Sequence, residues 1–435
     1  MTLEPARLTP LDAAYALAGI ATAPVWMRKA RGGWDERFGK GPALGERRLV
    51  GGVALPRIML HAVSVGEVSA LRTLVPLLAD RAVVVVSAST DTGIARARAR
   101  FESSAHVVRY PRDFSWSVRR FLDRVRPDVV GLVELEIWPQ FVRSCARRGV
   151  PVCVINGRLS ARSFKGYRRV RGFIGRDFAS LTRAMVQDED YRERFVAMGV
   201  APDRCVVSGS MKWDAPRLVD APEMARNLPE ARSLAAELGI DLARPLIVAG
   251  STSEGEEALL DRAVREACPP GTQLLVAPRR PERFAEVRGV LAGCTARSER
   301  TPAPQGQTRY VLDTIGELSA AYALAEVVIV GRSLMGDLHG SDPIEPAALG
   351  RPVLAGPEMG DFAQSTTALT EARALRRTTP DTLASDLAGL LGDAELRAAM
   401  GEAGLSCVRA QRGASAAHAS ALLEIAGHGA GRPIT

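Results

Sequence analysis

The sequence has few aromatic residues: phenylalanine, tyrosine and tryptophan make up 5% of its 435 residues. It also lacks zinc-knuckle and RNA-binding signatures, so neither stacking side chains nor a known module points to nucleic acid. The net charge of +8 nevertheless favours an anionic partner. Nucleic acid is the weakest candidate, and an acidic membrane surface or a phosphorylated ligand is better supported.

The chain also lacks the marks of a disulfide framework and of a metal site. Its six cysteines are scattered and form no CxxC pair, and its five histidines show no metal-ligand spacing. We therefore expect reduced, mostly buried thiols in a cytosolic protein, and no metal ligands.

The N-terminal stretch from Leu8 to Trp26 is largely apolar, but its apolar run is shorter than the roughly 20 residues of a membrane-spanning helix. It contains Asp12 and two prolines, and the basic residues Arg28, Lys29 and Arg31 follow it. A secretory signal would place its charges before the apolar run. Two interpretations stay open: a helix lying in the membrane interface, or a buried helix of the first domain.

From residue 50 to about 210, apolar strands alternate with helical patterns, and a second such series begins near residue 245. This βαβ rhythm predicts an α/β protein with two doubly wound parallel sheets, each covered by helices on both faces. The linker-like stretch Asp214–Pro222 separates the series, and we expect a crevice between the two domains. The predicted strands are Ile58–Leu60, Ala82–Ser87, His106–Arg109, Val129–Val133, Val152–Ile155, Ala184–Val186, Val206–Val207, Pro245–Ala249, Gln273–Ala277, Tyr310–Leu312, Val327–Val330 and Val353–Ala355.

The stretch His61–Glu67, sequence HAVSVGE, joins a buried strand to a helical pattern that runs from Val68 to Leu78. In open α/β sheets, turns at the carboxyl ends of strands hold ligands. Gly66 lets the backbone bend or approach a ligand closely, and Glu67 falls in the first turn of the helix. Glu67 is therefore either a functional carboxylate or a favourable charge at a helix N-terminus.

Three loops of the second half also follow strands, and we expect them to converge on one edge of the sheet. Residues 250–257 are rich in small residues whose unpaired amides could cradle a phosphate or carboxylate. Residues 277–284 bring a cluster of arginines, which suit bidentate phosphate binding. Residues 331–348 place Glu345 at a helix start, where it could accept hydrogen bonds from ribose hydroxyls. The alternative for any one loop is ordinary helix capping.

A series of motifs, taken together, resembles one known family, the 3-deoxy-D-manno-octulosonic acid (Kdo) transferases of lipopolysaccharide assembly. The resemblance covers about residues 8 to 425, and the combination is highly specific although no single motif is. The motifs, in the order of the family, are WDERFG (34–39), HAVSVGE (61–67), VELEIWP (133–139), NGRLSARS (156–163), GSMKWD (209–214), GSTSEGEE (250–257), PRRPERF (278–284), GELSAAY (316–322) and DPIEPAALGRPVLAGP (342–357).

The resemblance implies a GT-B fold of two Rossmann-like domains with the donor on the C-terminal one. It implies an enzyme that moves Kdo from CMP-Kdo to a lipid A precursor with inversion of configuration, without a metal or other cofactor. It places the protein at the cytoplasmic face of the inner membrane, as a peripheral or monotopic protein attached through its N-terminus. The implied domains are the membrane-associated segment 1–48, the acceptor domain 49–214, the linker 215–242, the donor domain 243–425 with its last helices crossing back, and a frayed tail 426–435.

The resemblance also assigns roles to individual positions. Glu67 matches the general base, and Glu134 and Lys212 match residues that support the transition state. Lys212 could offset charge on the departing CMP phosphate. The positions that match CMP-contacting segments are Pro278, Arg279, Ile315, Gly316, Glu317, Asp342, Pro343, Ile344 and Glu345, and further candidate donor contacts are Ser251, Thr252, Arg280 and Ser333.

Several donor-side positions depart from the family pattern. Ser253 and Arg280 each replace a usual histidine, Arg332 a usual glycine, and Asp342 a usual asparagine. A carboxylate at position 342 would repel a phosphate unless a cation such as Arg280 or Arg332 compensates it. Donor identity is therefore less constrained than reaction class.

Three alternatives stay open at this point. A GT-B enzyme could use another nucleotide sugar, a sugar-nucleotide epimerase could share the fold, and a binding protein could keep the fold without catalysis. The presence of Glu67, Glu134 and Lys212 argues against the last. The basic segment 162–176 is either a solvated helix face or a surface for anionic phospholipid or the phosphates of the acceptor.

Overall fold

The computed structural model describes residues 9–21 and 32–429. The described chain forms two compact units. Unit 1 takes the residues up to Ala215 and those from Arg412 onward, and unit 2 is Pro216–Gln411. The chain therefore returns to unit 1 for its last helix, and residues 426–429, predicted as part of a frayed tail, belong to that helix.

Unit 1 contains a seven-stranded, entirely parallel sheet with the strand order β5-β4-β3-β6-β7-β8-β9. Its order reverses between β3 and β6, which is the topological switch point of a doubly wound sheet. A separate two-stranded hairpin of β1 and β2 precedes it. The strands are β1 Leu49–Val50, β2 Val53–Ala54, β3 Arg57–Ala62, β4 Val83–Ala88, β5 His106–Arg109, β6 Val129–Val133, β7 Val152–Gly157, β8 Arg183–Val186 and β9 Cys205–Val207.

Helices cover both faces of this sheet and bury its continuous apolar strands, as parallel sheets require. They are α1 Pro10–Ala21, α2 Trp34–Arg37, α3 Val65–Ala70, α4 Leu74–Ala79, α5 Asp91–Phe101, α6 Ser115–Val125, α7 Pro139–Arg147, α8 Ala161–Arg169, α9 Arg171–Ala179, α10 Glu189–Met198 and the returning α20 Ala414–Gly429, with a 3-10 turn at Pro202–Arg204.

Unit 2 contains a second seven-stranded parallel sheet, with the order β12-β13-β11-β10-β14-β15-β16. Its switch point lies between β10 and β14. The strands are β10 Leu246–Thr252, β11 Gln273–Pro278, β12 Thr295–Ala296, β13 Arg309–Val311, β14 Val327–Val330, β15 Val353–Ala355 and β16 Leu375–Arg377. The helices are α11 Pro222–Arg226, α12 Pro229–Leu238, α13 Glu256–Ala267, α14 Phe284–Val290, α15 Leu318–Leu324, α16 Ile344–Ala348, α17 Ala363–Glu371, α18 Leu383–Gly392 and α19 Ala394–Gln411, with 3-10 turns at Pro281–Arg283, Arg297–Glu299 and Gly360–Phe362.

The helical pattern after β3 was expected to form one helix but forms two, α3 and α4. Pro76 lies in the first turn of α4, and because it has no N–H it cannot continue the helical ladder back to Arg72. A break immediately before α4 places this proline where a helix tolerates it.

α20 packs into the core of unit 1. Its residues Ala414, Leu422 and Ala426 share one buried cluster with Val133 at the end of β6 and Met211 near Lys212. The last helix therefore lies beside the strand ends that carry the candidate site.

Candidate active site

The candidate site of unit 1 lies at its switch point, where the loops after the neighbouring strands β3 and β6 begin. β3 leads to Glu67 and β6 leads directly to Glu134 and Glu136. Arg158 follows β7, and Lys212 lies in a turn after β9. Because all these strands are parallel, their following loops share one edge of the sheet.

Glu67 is held by the start of α3. Ser64 is the N-cap residue, and its hydroxyl accepts from the N–H of Glu67 and donates to Oε1 of Glu67 at 2.8 Å. Oε2 of Glu67 accepts from the N–H of Val63 at 2.8 Å. Both interpretations offered by the sequence are therefore compatible with the geometry: the half-buried carboxylate caps the helix, and it lies at the ligand-binding edge of the sheet.

Glu134 follows β6 with φ of 59°, in the left-handed region that non-glycine residues rarely occupy. Its N–H donates to the carbonyl of Ile155 at 3.0 Å, which fixes this conformation against β7. Burial raises the pKa of Glu134, as does the negative charge of Glu67, while Arg158 and Lys212 lower it. Because their charges act on Glu134, Glu67, Lys212 and Arg158 lie near it and form one charged cluster with it. Three members of this cluster, Glu67, Glu134 and Lys212, are the residues predicted to be catalytic.

Glu136 belongs to the same cluster, although the sequence prediction missed it. The pKa of Glu136 is raised to about 7, mainly by burial and also by the charges of Glu67 and Glu134. A hydrogen bond that Trp138 Nε1 donates to Oε2 of Glu136 at 2.9 Å acts in the opposite direction. A carboxyl group that titrates near neutral pH at a ligand-binding edge is a candidate functional group. The sequence feature that could have revealed Glu136 is its position in the VELEIWP motif, two residues after Glu134.

At the switch point of unit 2, a buried carboxylate accepts hydrogen bonds from backbone amides of the loops after β10 and β14. Glu256 is fully buried at the start of α13, and its two oxygens accept from the N–H groups of Ser253, Arg332, Ser333 and Leu334 at 2.7–2.9 Å. The expectation that the amides of residues 250–257 cradle a ligand anion therefore needs correction at Ser253, whose N–H binds Glu256. The carboxylate instead ties the loop after β10 to the loop after β14.

Two of the further candidate donor contacts have internal partners. Thr252 is buried and donates from its hydroxyl to Glu257 at 2.8 Å, and Glu257 in turn binds Arg283 at 2.7 Å. Ser333 is fully buried, donates to the carbonyl of Val330, and accepts from the N–H of Gly356 at 2.8 Å. These contacts give both residues a role in holding the loops. Ser251 is half-buried with φ of 60°.

Cationic side chains are exposed at the carboxyl end of β11. Pro278 is the buried last residue of that strand, and Arg279 and Arg280 follow it with exposed side chains. The N–H of Arg279 donates to the carbonyl of Thr252 at 3.0 Å, which fixes the backbone beside the β10 loop. The two guanidinium groups therefore face solvent next to the switch point of unit 2.

The segment after β13 contains a strongly exposed apolar residue. Ile315 is 82% exposed, and Gly316 adopts φ of 100°. Glu317 contacts Arg297 at 3.0 Å and also accepts from the hydroxyl of Thr314. The carboxylate of Glu317 is therefore engaged within unit 2, while Ile315 is available at the surface.

The loop after β14 leads into α16, which begins after Pro343 as the sequence predicted. Oδ1 of Asp342 accepts from the N–H of Ile344 at 2.9 Å, and Ile344 is buried. The pKa of the buried Tyr322 is raised, first by burial and then by the negative charges of Glu345 and Asp342. These two half-buried carboxylates therefore lie near the hydroxyl of Tyr322. Arg332, one of the two cations expected to compensate Asp342, donates to the carbonyl of Leu338 at 2.6 Å.

The described part of the N-terminal stretch, α1, packs its polar side against the rest of unit 1. Asp12 is buried and accepts from the N–H of Ser115 at 2.7 Å, and Tyr15 donates to Asp113 at 3.0 Å. Leu17, by contrast, is 68% exposed. The predicted basic anchors Arg28, Lys29 and Arg31 lie outside the described residues.

α8 and α9 present the predicted basic surface. No residue of α8 is buried, and the side chains of Val170 and Phe173 are about half exposed. We call this region the basic surface, and its exposed cations are Arg162, Lys165, Arg168, Arg169, Arg171 and Arg176.

Within the described ranges, no helix is both long and apolar enough to cross a membrane. The same residues contain no group of three or more His, Cys, Asp or Glu side chains that could hold a metal ion.

Comparisons with known proteins converge on one family. The family described as 3-Deoxy-D-manno-octulosonic-acid transferase (kdotransferase) matches residues 32–215. A 3-deoxy-D-manno-octulosonic acid transferase from Haemophilus influenzae is 30% identical over 82% of this chain and 84% of that protein. One from Bordetella pertussis is 31% identical over 92% of this chain and 96% of that protein.

A likeness to solved structures supports the fold. A UDP-GlcNAc 2-epimerase from Neisseria meningitidis, bound to UDP-GlcNAc, matches with a TM-score of 0.57 at 11% identity, over 85% of this chain and 100% of that one. At this identity the likeness shows the fold alone. Together with the two parallel seven-stranded sheets it gives the GT-B architecture of two Rossmann-like units, as the sequence predicted.

Proposed function

The chain belongs to the 3-deoxy-D-manno-octulosonic acid transferase family, and from this membership we propose that it transfers Kdo from CMP-Kdo to a lipid A precursor of the lipid IVA type. The transfer inverts the anomeric configuration and releases CMP. The observation that carries the proposal is the charged cluster at the switch point of unit 1, which brings Glu67, Glu134 and Lys212 together.

In this proposal Glu67 is the general base. An ionised carboxylate has about four acceptor sites, and the contacts with Ser64 and Val63 use only some of them. An acceptor hydroxyl can therefore donate to Glu67 while the helix cap stays intact. The cap contributes by holding the carboxylate in one orientation, which a base needs if it is to take a proton in the transition state.

Lys212 and Arg158 supply positive charge beside the carboxylates. As the bond between Kdo and CMP breaks, negative charge grows on the departing phosphate, and a fixed cation stabilises it. Glu134 carries the balancing negative charge, since its pKa responds to Glu67 on one side and to both cations on the other. We therefore assign Glu134 and Lys212 to transition-state support.

Unit 2 binds the donor in this proposal. The exposed guanidinium groups of Arg279 and Arg280 suit phosphate, and Glu345 near the start of α16 suits the ribose hydroxyls. The loops that carry these residues are tied to each other through Glu256 and through the bond between Arg279 and Thr252. CMP would thus meet a site whose backbone is already ordered.

We also propose that the protein works at the cytoplasmic face of the inner membrane, attached peripherally. Two observations support this. In α1 the polar residues Asp12 and Tyr15 contact the rest of unit 1, while the apolar Leu17 is exposed. The basic surface has the half-exposed Phe173 among its cations. Exposed apolar side chains flanked by arginines are typical of a surface that meets anionic lipid.

The test is incubation of the purified protein with CMP-Kdo and lipid IVA, followed by mass spectrometry of the lipid. The proposal requires a mass increase by Kdo and release of CMP, and it requires the reaction to continue in EDTA because we expect no metal or other cofactor. Isothermal titration with CMP and with UDP separates the alternative of another nucleotide-sugar donor. Preferential binding of UDP, with no product from CMP-Kdo, would replace the proposed donor.

A further inference from the structure

The last helix of the chain binds the turn that carries Lys212. α20 begins at Ala414, and Asp214 accepts hydrogen bonds from the N–H groups of Gly413 at 2.7 Å and Ser415 at 2.6 Å. The carboxylate of Asp214 therefore caps α20 and ties one end of the turn to it. All these residues belong to unit 1.

A second connection reaches the other end of the same turn from one helical turn further along α20. Nε2 of His418 accepts from the N–H of Asn156 at 2.8 Å, and Oδ1 of Asn156 accepts from the N–H of Met211 at 3.0 Å. Asn156 has φ of 52°, so its N–H and side chain point to partners that an extended residue would not reach. Met211 immediately precedes Lys212.

The hydrogen bonds of His418 fix its protonation state. Nδ1 lies against the carbonyl of Ala414, which can only accept, so Nδ1 carries the proton and Nε2 is the acceptor. Burial lowers the pKa of His418, which agrees with a neutral ring. The imidazole is fully buried, and both of its nitrogens have partners within unit 1.

We propose that His418 is a positioning residue for the reaction: through Asn156 it holds Met211 and thereby sets the position of the ammonium group of Lys212. This inference rests on the proposed function for its catalytic meaning, but its structural content is independent of any substrate. The Lys212 turn itself is short, closed by a bond from the N–H of Trp213 to the carbonyl of Ser210 at 3.1 Å. Contacts at Met211 and Asp214 therefore define the backbone on both sides of Lys212.

The first experiment reads the environment of Lys212 directly. The chain has only four lysines, Lys29, Lys40, Lys165 and Lys212, so reductive methylation with ¹³C-formaldehyde gives a small set of resolvable NMR signals. The signal of Lys212 is assigned by its loss in Lys212→Arg. We expect His418→Leu to shift the Lys212 signal while those of Lys40 and Lys165 stay.

His418→Gln is the matched variant, because its amide oxygen can accept near the position of Nε2. We expect it to restore the Lys212 signal of the wild type. Glu424→Gln, an exposed change on the same helix, should leave the signal unchanged. An unchanged Lys212 signal in folded His418→Leu protein would overturn the proposal, whatever the substrate of the enzyme is.

The second experiment measures kcat and KM with CMP-Kdo. We expect His418→Leu to lower kcat by about tenfold to a hundredfold with little change in KM, as a misplaced catalytic group does. In a Lys212→Ala background the same change should lower kcat no further. Equal losses in both backgrounds would show a general structural effect and would overturn the proposal.

Asn156 provides a second pair of variants should His418→Leu fail to fold. Asn156→Asp keeps the acceptor Oδ1 and tolerates positive φ, whereas Asn156→Gly tolerates positive φ but removes the acceptor. We expect the glycine variant to shift the Lys212 signal and the aspartate variant to keep it. The same signal in both variants would contradict the connection through Asn156. If the wild type does not use CMP-Kdo, the proposed function is wrong. The NMR comparison still decides the role of His418 in that case.

Discussion

The hydroxyl of Ser64 donates a hydrogen bond to Oε1 of Glu67 at 2.8 Å, in the first turn of the helix after the first strand of the large sheet of unit 1. The same hydroxyl accepts from the N–H of Glu67, so the two residues hold each other. The carboxylate that caps the helix is therefore also the one that we propose as the catalytic base, and a substitution must separate the two roles.

Glu67→Gln makes this separation, because the amide keeps the shape and one acceptor oxygen but cannot take a proton. We expect turnover of CMP-Kdo to fall by about 10²–10⁴, the usual contribution of a positioned base, while CMP affinity stays nearly unchanged. Steady-state kinetics and titration with CMP measure the two quantities. Ser64→Ala is the control: it removes the bond to Oε1 but keeps the carboxylate and its bond from the N–H of Val63, so it should cost much less. A Gln variant with more than about a tenth of the wild-type rate would rule out the role of base.

Glu136 should make the stability of unit 1 depend on pH. Its pKa is raised from 4.5 to about 7 in the folded protein, mainly by burial. The folded state therefore holds a proton that the unfolded state loses, so stability falls as pH rises through this window and levels off above about 7. Glu136→Gln removes this penalty, and the variant should gain up to about 3 kcal/mol relative to the wild type between pH 5 and pH 8.

Urea unfolding of the wild type and of Glu136→Gln at about pH 5 and about pH 8 measures this difference. Glu193→Gln, an exposed change on α10, is the matched control and should show none. Parallel pH dependence of Glu136→Gln and the wild type would mean that Glu136 titrates normally.

Glu256 should be essential to the stability of the donor loops. Four backbone N–H groups converge on its buried carboxylate, and hydrogen bonds to a charged group are worth about 1.5–3 kcal/mol each. In Glu256→Gln the amide nitrogen would face donors, so we expect the free energy of unfolding of unit 2 to fall by about 3 kcal/mol or more. Thermal and urea unfolding check this, with the exposed Glu266→Gln on the same helix as control. Equal stability of the two variants would contradict it.

Leu17 should contribute to membrane attachment. Placing a carboxylate at this exposed apolar position leaves the anchors Asp12 and Tyr15 intact but opposes contact with anionic lipid. We expect Leu17→Glu to lower the bound fraction in flotation with phosphatidylglycerol vesicles. Leu77→Glu, at an exposed leucine of α4, is the control and should bind like the wild type. Failure of the wild type itself to float with such vesicles would remove the membrane assignment.

The alternation of apolar strands and helical patterns was sufficient to predict both sheets, because parallel strands buried on both faces are continuous apolar runs. The strands that the sequence did not reveal are short, such as Thr295–Ala296, and depend on a neighbour for their hydrogen bonds. Glu67 was visible as a candidate functional carboxylate because a strand-to-helix turn marks the ligand-binding edge of a sheet, whereas its role as base was implied by the family resemblance.

Other parts of the site depend on contacts between residues distant in sequence. The amide of Ser253 belongs to the stretch that was expected to cradle a ligand anion, yet Glu256 binds it together with the amides of Arg332 and Ser333, more than seventy residues later in the sequence. No local pattern predicts that His418 accepts from Asn156, since the two are separated by 262 positions. Glu136 differs in kind: its position was visible, but its raised pKa follows from burial beside two other carboxylates.

Glu345 and Asp342 allow a test of donor binding on the loop that departs most from the family. Glu345 lies in the first turn of α16, and its carboxylate can accept from two vicinal ribose hydroxyls at about 1.5–3 kcal/mol each. We expect Glu345→Ala to weaken CMP binding by about tenfold or more, at about 1.4 kcal/mol per decade. Isothermal titration measures this, with the exposed Glu371→Ala as control. Unchanged affinity in Glu345→Ala would remove the ribose contact.

Asp342→Asn isolates charge at the same loop, because the amide keeps the oxygen that accepts from the N–H of Ile344. The sequence led us to expect that Arg280 or Arg332 compensates Asp342, in which case the variant would bind CMP more weakly. Arg280 and Arg332 follow β11 and β14, the two strands that flank β10 in the same sheet. We therefore expect Asp342→Asn to leave a cation without its carboxylate partner and to weaken CMP binding by about fivefold, or about 1 kcal/mol. Tighter binding by the variant would instead show that Asp342 repels the phosphate of CMP, and raising the salt concentration should then reduce the difference between variant and wild type.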